Sequence, residues 1–141
     1  MTEHWYERNT GQVVTEVQRQ VFHPVKRGMA ATLDGMVEET GAVFEAKFML
    51  SWSFSEEAAA EKHMAQLQHN MWVTASSTAV LSIITGGGKW VEMTIPADPL
   101  YQHLLPIAEK KFWRGVETGE PLACSGSSRR ARGSKPCGWS I

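Results

Sequence analysis

The chain has 141 residues, 43% apolar and 21% charged, which suits one soluble domain with a core of its own. Its net charge of −1 divides unevenly: residues 1–121 hold all fifteen acids against ten Lys and Arg, a balance of −5, whereas residues 122–141 hold four bases and no acid. A −5 body argues against a protein that simply coats nucleic acid, and no apolar run reaches the ~18 residues of a membrane span. The polar opening MTEHWYERNT does not read as a secretory leader. Cys124 and Cys137 make neither a disulfide framework nor a paired zinc motif, so the expected compartment is cytoplasmic.

In chain order, residues 3–9 read as a short helix stopped by Thr10-Gly11. A β-branched run follows over 12–19, then Val21-Phe22, then a turn at Pro24 and Lys26-Arg27-Gly28. Residues 29–38 read as a strand distorted at Asp34-Gly35. Glu39-Thr40-Gly41 connects it tightly to a strand over 42–48, which predicts an antiparallel hairpin. Ser55 caps a helix whose buried face is Ala60, Met64, Leu67 and Met71, with Glu56 and Glu57 at its positive end. Strands at 78–85 and 90–95 flank the turn Gly86-Gly87-Gly88-Lys89. Asp98-Pro99 opens a last helix to about Glu117, with Leu100, Leu104, Ile107, Ala108 and Phe112 as its apolar set and Pro106 either kinking or restarting it. Residues 122–141 lack periodicity and read as a disordered basic tail. The order predicts an α/β or α+β sandwich around a mixed sheet.

The chemistry concentrates between Ala31 and Trp72. Period-2 alternation puts Glu45 and Lys47 on one face of their strand, with Ala46 opposite. If the hairpin closes at residues 39–41, Asp34 comes near Glu45 across it. Two adjacent carboxylates repel, and a hard cation such as Mg²⁺ relieves this through oxygen ligands and retained waters, the Ala46 carbonyl adding a further oxygen. A lysine beside such an ion can hold the attacking water or stabilise charge on a phosphate. The plain alternative is a Glu/Lys pair on a solvated strand face, although Val43, Phe44, Phe48 and Met49 make the run too apolar for simple surface decoration. On the following helix, His63, Gln66 and Asn70 form a polar line beside the core stripe, while Gln68 reads as solvent-facing.

Ala31-Thr32-Leu33-Asp34-Gly35, Val43-Phe44-Glu45-Ala46-Lys47 and the run from Met64 to Thr74 (MAQLQHNMWVT) resemble successive motifs of one family. It is the phage-type alkaline exonucleases, the lambda exonuclease and YqaJ viral recombinase group of the PD-(D/E)XK nuclease superfamily. Tyr6-Glu7-Arg8-Asn9-Thr10-Gly11 and His23-Pro24 fit its lead-in, and the resemblance covers about residues 5–118. It implies a restriction-endonuclease-like core over residues 1–121, a mixed central sheet flanked by helices. It implies a Mg²⁺-dependent deoxyribonuclease, Mn²⁺ substituting, acting on linear double-stranded DNA for phage or prophage recombination. A single-strand annealing protein and a homo-oligomer are the implied partners, and no membrane is.

Carried over residue by residue, Asp34 and Glu45 would ligate the metal with the Ala46 carbonyl, Lys47 would be the catalytic lysine, and Gln66 would support the site. Lys26 and Arg27 are the candidate DNA-binding residues. The family carries another metal-site glutamate, which motif spacing puts about two helical turns before Glu7, at or before the first residue; Glu3, one turn from Glu7, is the candidate substitute. The expectation is therefore an N-terminally truncated member. The alternative is a catalytically inactive remnant serving only as a DNA-binding or protein-interaction module.

Other motifs carry less. Trp90 stands where a phosphate loop after Gly86-Gly87-Gly88-Lys89 needs Ser or Thr, so this is a hairpin turn. The five histidines show no i, i+4 pair, which disfavours zinc. His23 reads as a strand-end residue, and Trp52, Trp72, Trp90 and Trp113 as core or interface packing. Lys110-Lys111 with Arg114 reads as a second basic cluster.

Overall fold

Helix α1 (Thr2–Thr10) opens the computed structural model, which describes residues 2–26, 28–50, 52 and 54–121. Gly11, at φ 75°, ends α1 by turning its N–H onto the Glu7 carbonyl at 2.8 Å. Of the β-branched run expected over 12–19, only Val14–Thr15 forms a strand, β1. Glu16 and Gln18 take left-handed backbone at φ 56° and 58°, which breaks the extended run.

The strand expected over 29–38 is in fact two strands in two sheets. Strand β2 (Gln20–Phe22) pairs antiparallel with β3 (Ala30–Thr32) as a sheet of two, whereas β4 (Gly35–Val37) joins a sheet of five. The crossing point is Leu33-Asp34: Leu33 is fully buried and its N–H goes to the Arg19 carbonyl at 2.9 Å. Gly35 is required where β4 begins, because a Cβ there would stand 2.4 Å from Val14 Cγ1.

The five-stranded sheet runs β1-β4-β5-β6-β7, with β5 (Val43–Met49), β6 (Thr78–Thr85) and β7 (Trp90–Pro96). Its β4–β5 and β6–β7 pairs are the expected antiparallel hairpins. Strands β5 and β6 pair in parallel, which makes the sheet mixed and calls for a crossover. Helix α2 (Glu56–Thr74) supplies it. Ser55 caps α2 by accepting the Ala58 N–H at 3.1 Å, and Ala75 in left-handed backbone closes it.

Alternation along β5 divides the core. Val43 and Met49 pack beneath α2 with Leu67, Met71, Leu81 and Ile83, and Ala60 and Met64 complete the expected stripe at its edge. Phe44 points to the opposite face, where Tyr6 of α1 meets its ring at 5.1 Å between centroids. Gln68 corrects the reading as solvent-facing, being 1% exposed. Its amide donates to the Pro96 carbonyl at 3.0 Å and accepts the Asp98 N–H at 2.9 Å, so the desolvation is met by hydrogen bonds.

Among the described residues, those up to Ala108 form one unit and those from Glu109 a second. Helix α3 (Pro99–Thr118) starts in the first and ends in the second, with Asp98 accepting the Leu100 and Tyr101 N–H groups at its start. It runs through Pro106, which neither restarts nor ends it and is its one buried residue. Of its apolar set, Leu100, Leu104, Ile107 and Phe112 are exposed. Helical spacing identifies the apolar face but supplies no partner for it. The basic tail, with Cys124 and Cys137, lies outside the described residues. Among the described residues no helix is long and apolar enough to cross a membrane.

Candidate active site

Three elements converge on one face of the five-stranded sheet. Asp34 sits where β3 gives way to β4, Glu45 and Lys47 alternate along β5, and α2 lies over them. The Asp34 carboxylate accepts the Ala46 N–H at 3.0 Å, which fixes it beside the Glu45–Lys47 segment. Glu45 is 1% exposed, and its Oε1 receives Lys47 Nζ at 2.6 Å and the Gln66 amide at 2.7 Å. Asn70, one helical turn beyond Gln66, presents its amide to Glu45 Oε2 at 3.5 Å.

The sheet and the helix each dictate this meeting. Period-2 alternation aims Glu45 and Lys47 toward α2, and the i, i+4 spacing of Gln66 and Asn70 puts both amides on the helix face that looks back. Gln66 itself is exposed on its outer side, while Asn70 is buried. Burial raises the Glu45 pKa, the Asp34 charge adds to the rise, and Lys47 and Gln66 oppose it through their hydrogen bonds. The site thus holds two carboxylates against one lysine. On α2, burial and the charges of Lys47 and Lys62 lower the His63 pKa.

Asp34, Glu45 and Lys47 come together as the hairpin spacing implied, Gln66 joins them as the family resemblance implied, and Ala46 meets Asp34 through its N–H. Asn70 belongs with them, and the polar line on α2 was its signal. Glu3 does not join: α1 packs through Tyr6 against the face of β5 opposite Glu45. Among the described residues no group of three or more His, Cys, Asp or Glu is arranged to hold a metal ion. His23 stands at the end of β2, its Nδ1 accepting the Val25 and Lys26 N–H groups. Lys26 lies on the β2–β3 turn, and Arg27 lies outside the described residues. Trp90 packs partly into the core on the α1 side and donates to Ser82 Oγ at 2.9 Å, whereas Trp52 and Trp113 are exposed.

A family model described as the YqaJ-like viral recombinase domain matches residues 1–77. Among solved structures, an alkaline exonuclease (LHK-Exo) from Laribacter hongkongensis is similar with a TM-score of 0.67 and 20% identity, covering 84% of this chain. This chain spans 64% of that exonuclease. A phage-related exonuclease from Haemophilus somnus 129PT is similar with a TM-score of 0.63 and 12% identity, over 85% of this chain and 69% of its own. LHK-Exo in complex with dAMP gives a TM-score of 0.63 at 19% identity, over 84% and 64%. No curated protein matches the sequence.

Proposed function

The chain belongs to the YqaJ-like viral recombinase family, and from that premise we propose that it is a metal-dependent deoxyribonuclease hydrolysing phosphodiester bonds of linear duplex DNA. One observation carries the reading: Glu45, 1% exposed, is held between Lys47 and Gln66 beside the acid that binds its own strand, Asp34. A buried carboxylate with a second one nearby is costly to a fold and is kept where its charge is used.

The donor set fits a hard divalent ion. Such an ion takes one or two carboxylates and keeps several waters, and Asp34, Glu45 and the Ala46 carbonyl are oxygen donors of that kind. When bound, Mg²⁺ or Mn²⁺ would polarise a phosphoryl oxygen and lower the pKa of a coordinated water. Lys47 directs its ammonium into the same space, where it donates to the attacking water or to a non-bridging phosphate oxygen. Gln66 and Asn70 hold the Glu45 carboxylate from the helix side, so that its orientation does not depend on the substrate. Service in phage recombination beside an annealing protein, and assembly of several copies, extend the same proposal.

A second reading, a module that binds DNA or protein without cutting, draws on the carboxylate count: two acids converge, and no third metal-holding side chain joins them among the described residues. Cleavage of end-labelled linear duplex DNA in Mg²⁺ and then Mn²⁺, with Lys47→Ala as control, decides between them. Degradation that disappears in the variant supports the nuclease; folded wild-type protein that cuts in neither metal sinks it.

A further inference from the structure

Trp72, one of the larger residues of the α2 motif, has no part in the chemistry described above. It carries two side chains from the β2–β3 turn. The His23 ring lies against it at 4.4 Å between centroids, and Lys26 Nζ stands 4.9 Å over its ring. His23 Nδ1 accepts the Val25 N–H at 3.1 Å and the Lys26 N–H at 3.0 Å, while Met29 donates to the Lys26 carbonyl at 3.2 Å. The turn is therefore ordered by its own backbone as well as by the indole. It still projects: Phe22, Val25 and Lys26 are exposed, Val25 at 80%.

An exposed lysine loses rotamer freedom when it grips a ligand, and one already seated on an aromatic face has less to lose. Its ammonium keeps N–H groups for an anion beyond the ring. The surroundings sharpen the point, because residues 1–121 carry a net −5 and a projecting, pre-ordered cation runs against that balance. A polyanion approaching such a body is met favourably at few places.

The same helix links this turn to the site. Gln66 bonds Glu45 at 2.7 Å, His69 Nε2 lies 3.0 Å from the Ala30 carbonyl of β3, and Trp72 lies under Lys26, at i, i+3 and i+6. From Gln66 to Trp72 is about 9 Å along the helix axis. A DNA strand rises about 3.4 Å per nucleotide, so for one laid along α2 the separation corresponds to about three nucleotides.

Building on the nuclease reading, we propose that a DNA strand runs along α2, so that Lys26, seated on Trp72, contacts a backbone phosphate about three nucleotides from the bond that is cut, and that the β2–β3 turn thereby sets how the duplex lies across the site.

The test is fluorescence anisotropy of the full chain with end-labelled duplex in Mg²⁺, in a Lys47→Ala background so that no strand is cut during the titration. Lys26→Ala is expected to bind several-fold more weakly, with a slope of log affinity against log salt smaller by about 0.9, one phosphate's worth of released counterion. Lys26→Arg restores both. A single uncharged methylphosphonate linkage, walked inward from the labelled end, weakens the Lys26 protein at about the third linkage and leaves Lys26→Ala unaffected there. An unchanged salt slope in Lys26→Ala, or identical linkage profiles for the two proteins, overturns the proposal, as does the absence of any duplex binding. Lys26-dependent binding by a chain with wild-type Lys47 that cuts no DNA leaves the phosphate contact standing and removes the nuclease reading alone.

Discussion

The Asp34 carboxylate accepts the backbone N–H of Ala46 at 3.0 Å, so one acid of the site is tied to the residue that separates Glu45 from Lys47. Asp34→Asn keeps an acceptor for that N–H and removes the charge. The expected variant unfolds within ~1 kcal/mol of wild type and cuts DNA at least ~100-fold more slowly. Asp34→Ala removes the acceptor too, and its urea midpoint should fall by the equivalent of about 1–3 kcal/mol.

Glu45 gives a prediction in pH. Burial raises its pKa, with the Asp34 charge adding to the rise, so the folded chain holds the proton more tightly than the unfolded chain does. Its contribution to stability is therefore full below the unfolded value of about 4.3 and is lost as pH rises through the raised folded value. Glu45→Gln should melt higher than wild type at pH 8 in metal-free buffer, and the gain should vanish near pH 4. Adding Mn²⁺ at 100 times its dissociation constant should stabilise wild type by about 2.7 kcal/mol and leave Glu45→Gln unmoved. Thermal melts across pH and metal concentration check both. A gain that grows toward low pH contradicts the assignment.

Gln66 touches the site from outside and is itself exposed, so Gln66→Ala should fold normally. Its loss frees the Glu45 carboxylate on the helix side, and the metal concentration for half-maximal cleavage should rise about 10–100-fold. A rate titrated against Mg²⁺ reads this directly; unaltered metal dependence would remove Gln66 from the site.

Gly35→Ala places a methyl group 2.4 Å from Val14 Cγ1, which is buried and has little room to yield. Overpacking of this kind costs about 1–3 kcal/mol. Urea unfolding should show a lower midpoint at an unchanged slope.

Gln68→Ala strips partners from the Pro96 carbonyl and the Asp98 N–H at once. Destabilisation of about 1–3 kcal/mol per group left unsatisfied is the expectation. Because Gln68 lies on the β7–α3 side of α2, cleavage by the remaining folded protein at low temperature should match wild type.

The approach of Asp34 to Glu45 and Lys47 was legible because it needs only local rules, alternation along one strand and a tight hairpin, whereas Gln66, 21 positions from the Glu45 it bonds, was legible only through the family resemblance. The family motifs fall on those same positions. What escaped depends on distant partners. Gln68 is buried because residues 28 and 30 positions further along meet its amide, and no local pattern records that. The run over 29–38 keeps its apolar character straight through Leu33, so composition marks a distortion at Asp34-Gly35 without revealing that the chain changes sheets. On α3 the spacing of Leu100, Leu104 and Ile107 is that of a buried face, yet all three are exposed.

Among the described residues, strands β2 and β3 pair only with each other, and this separation bears on how the protein can change over time. The hairpin draws no hydrogen bond of its ladder from the sheet that carries Glu45 and Lys47. Its turn can lengthen, shorten or exchange residues while the Glu45–Lys47 pair keeps its register. On the proposed reading, substrate placement and chemistry are thus open to selection one at a time, with Leu33 as the fixed joint between them.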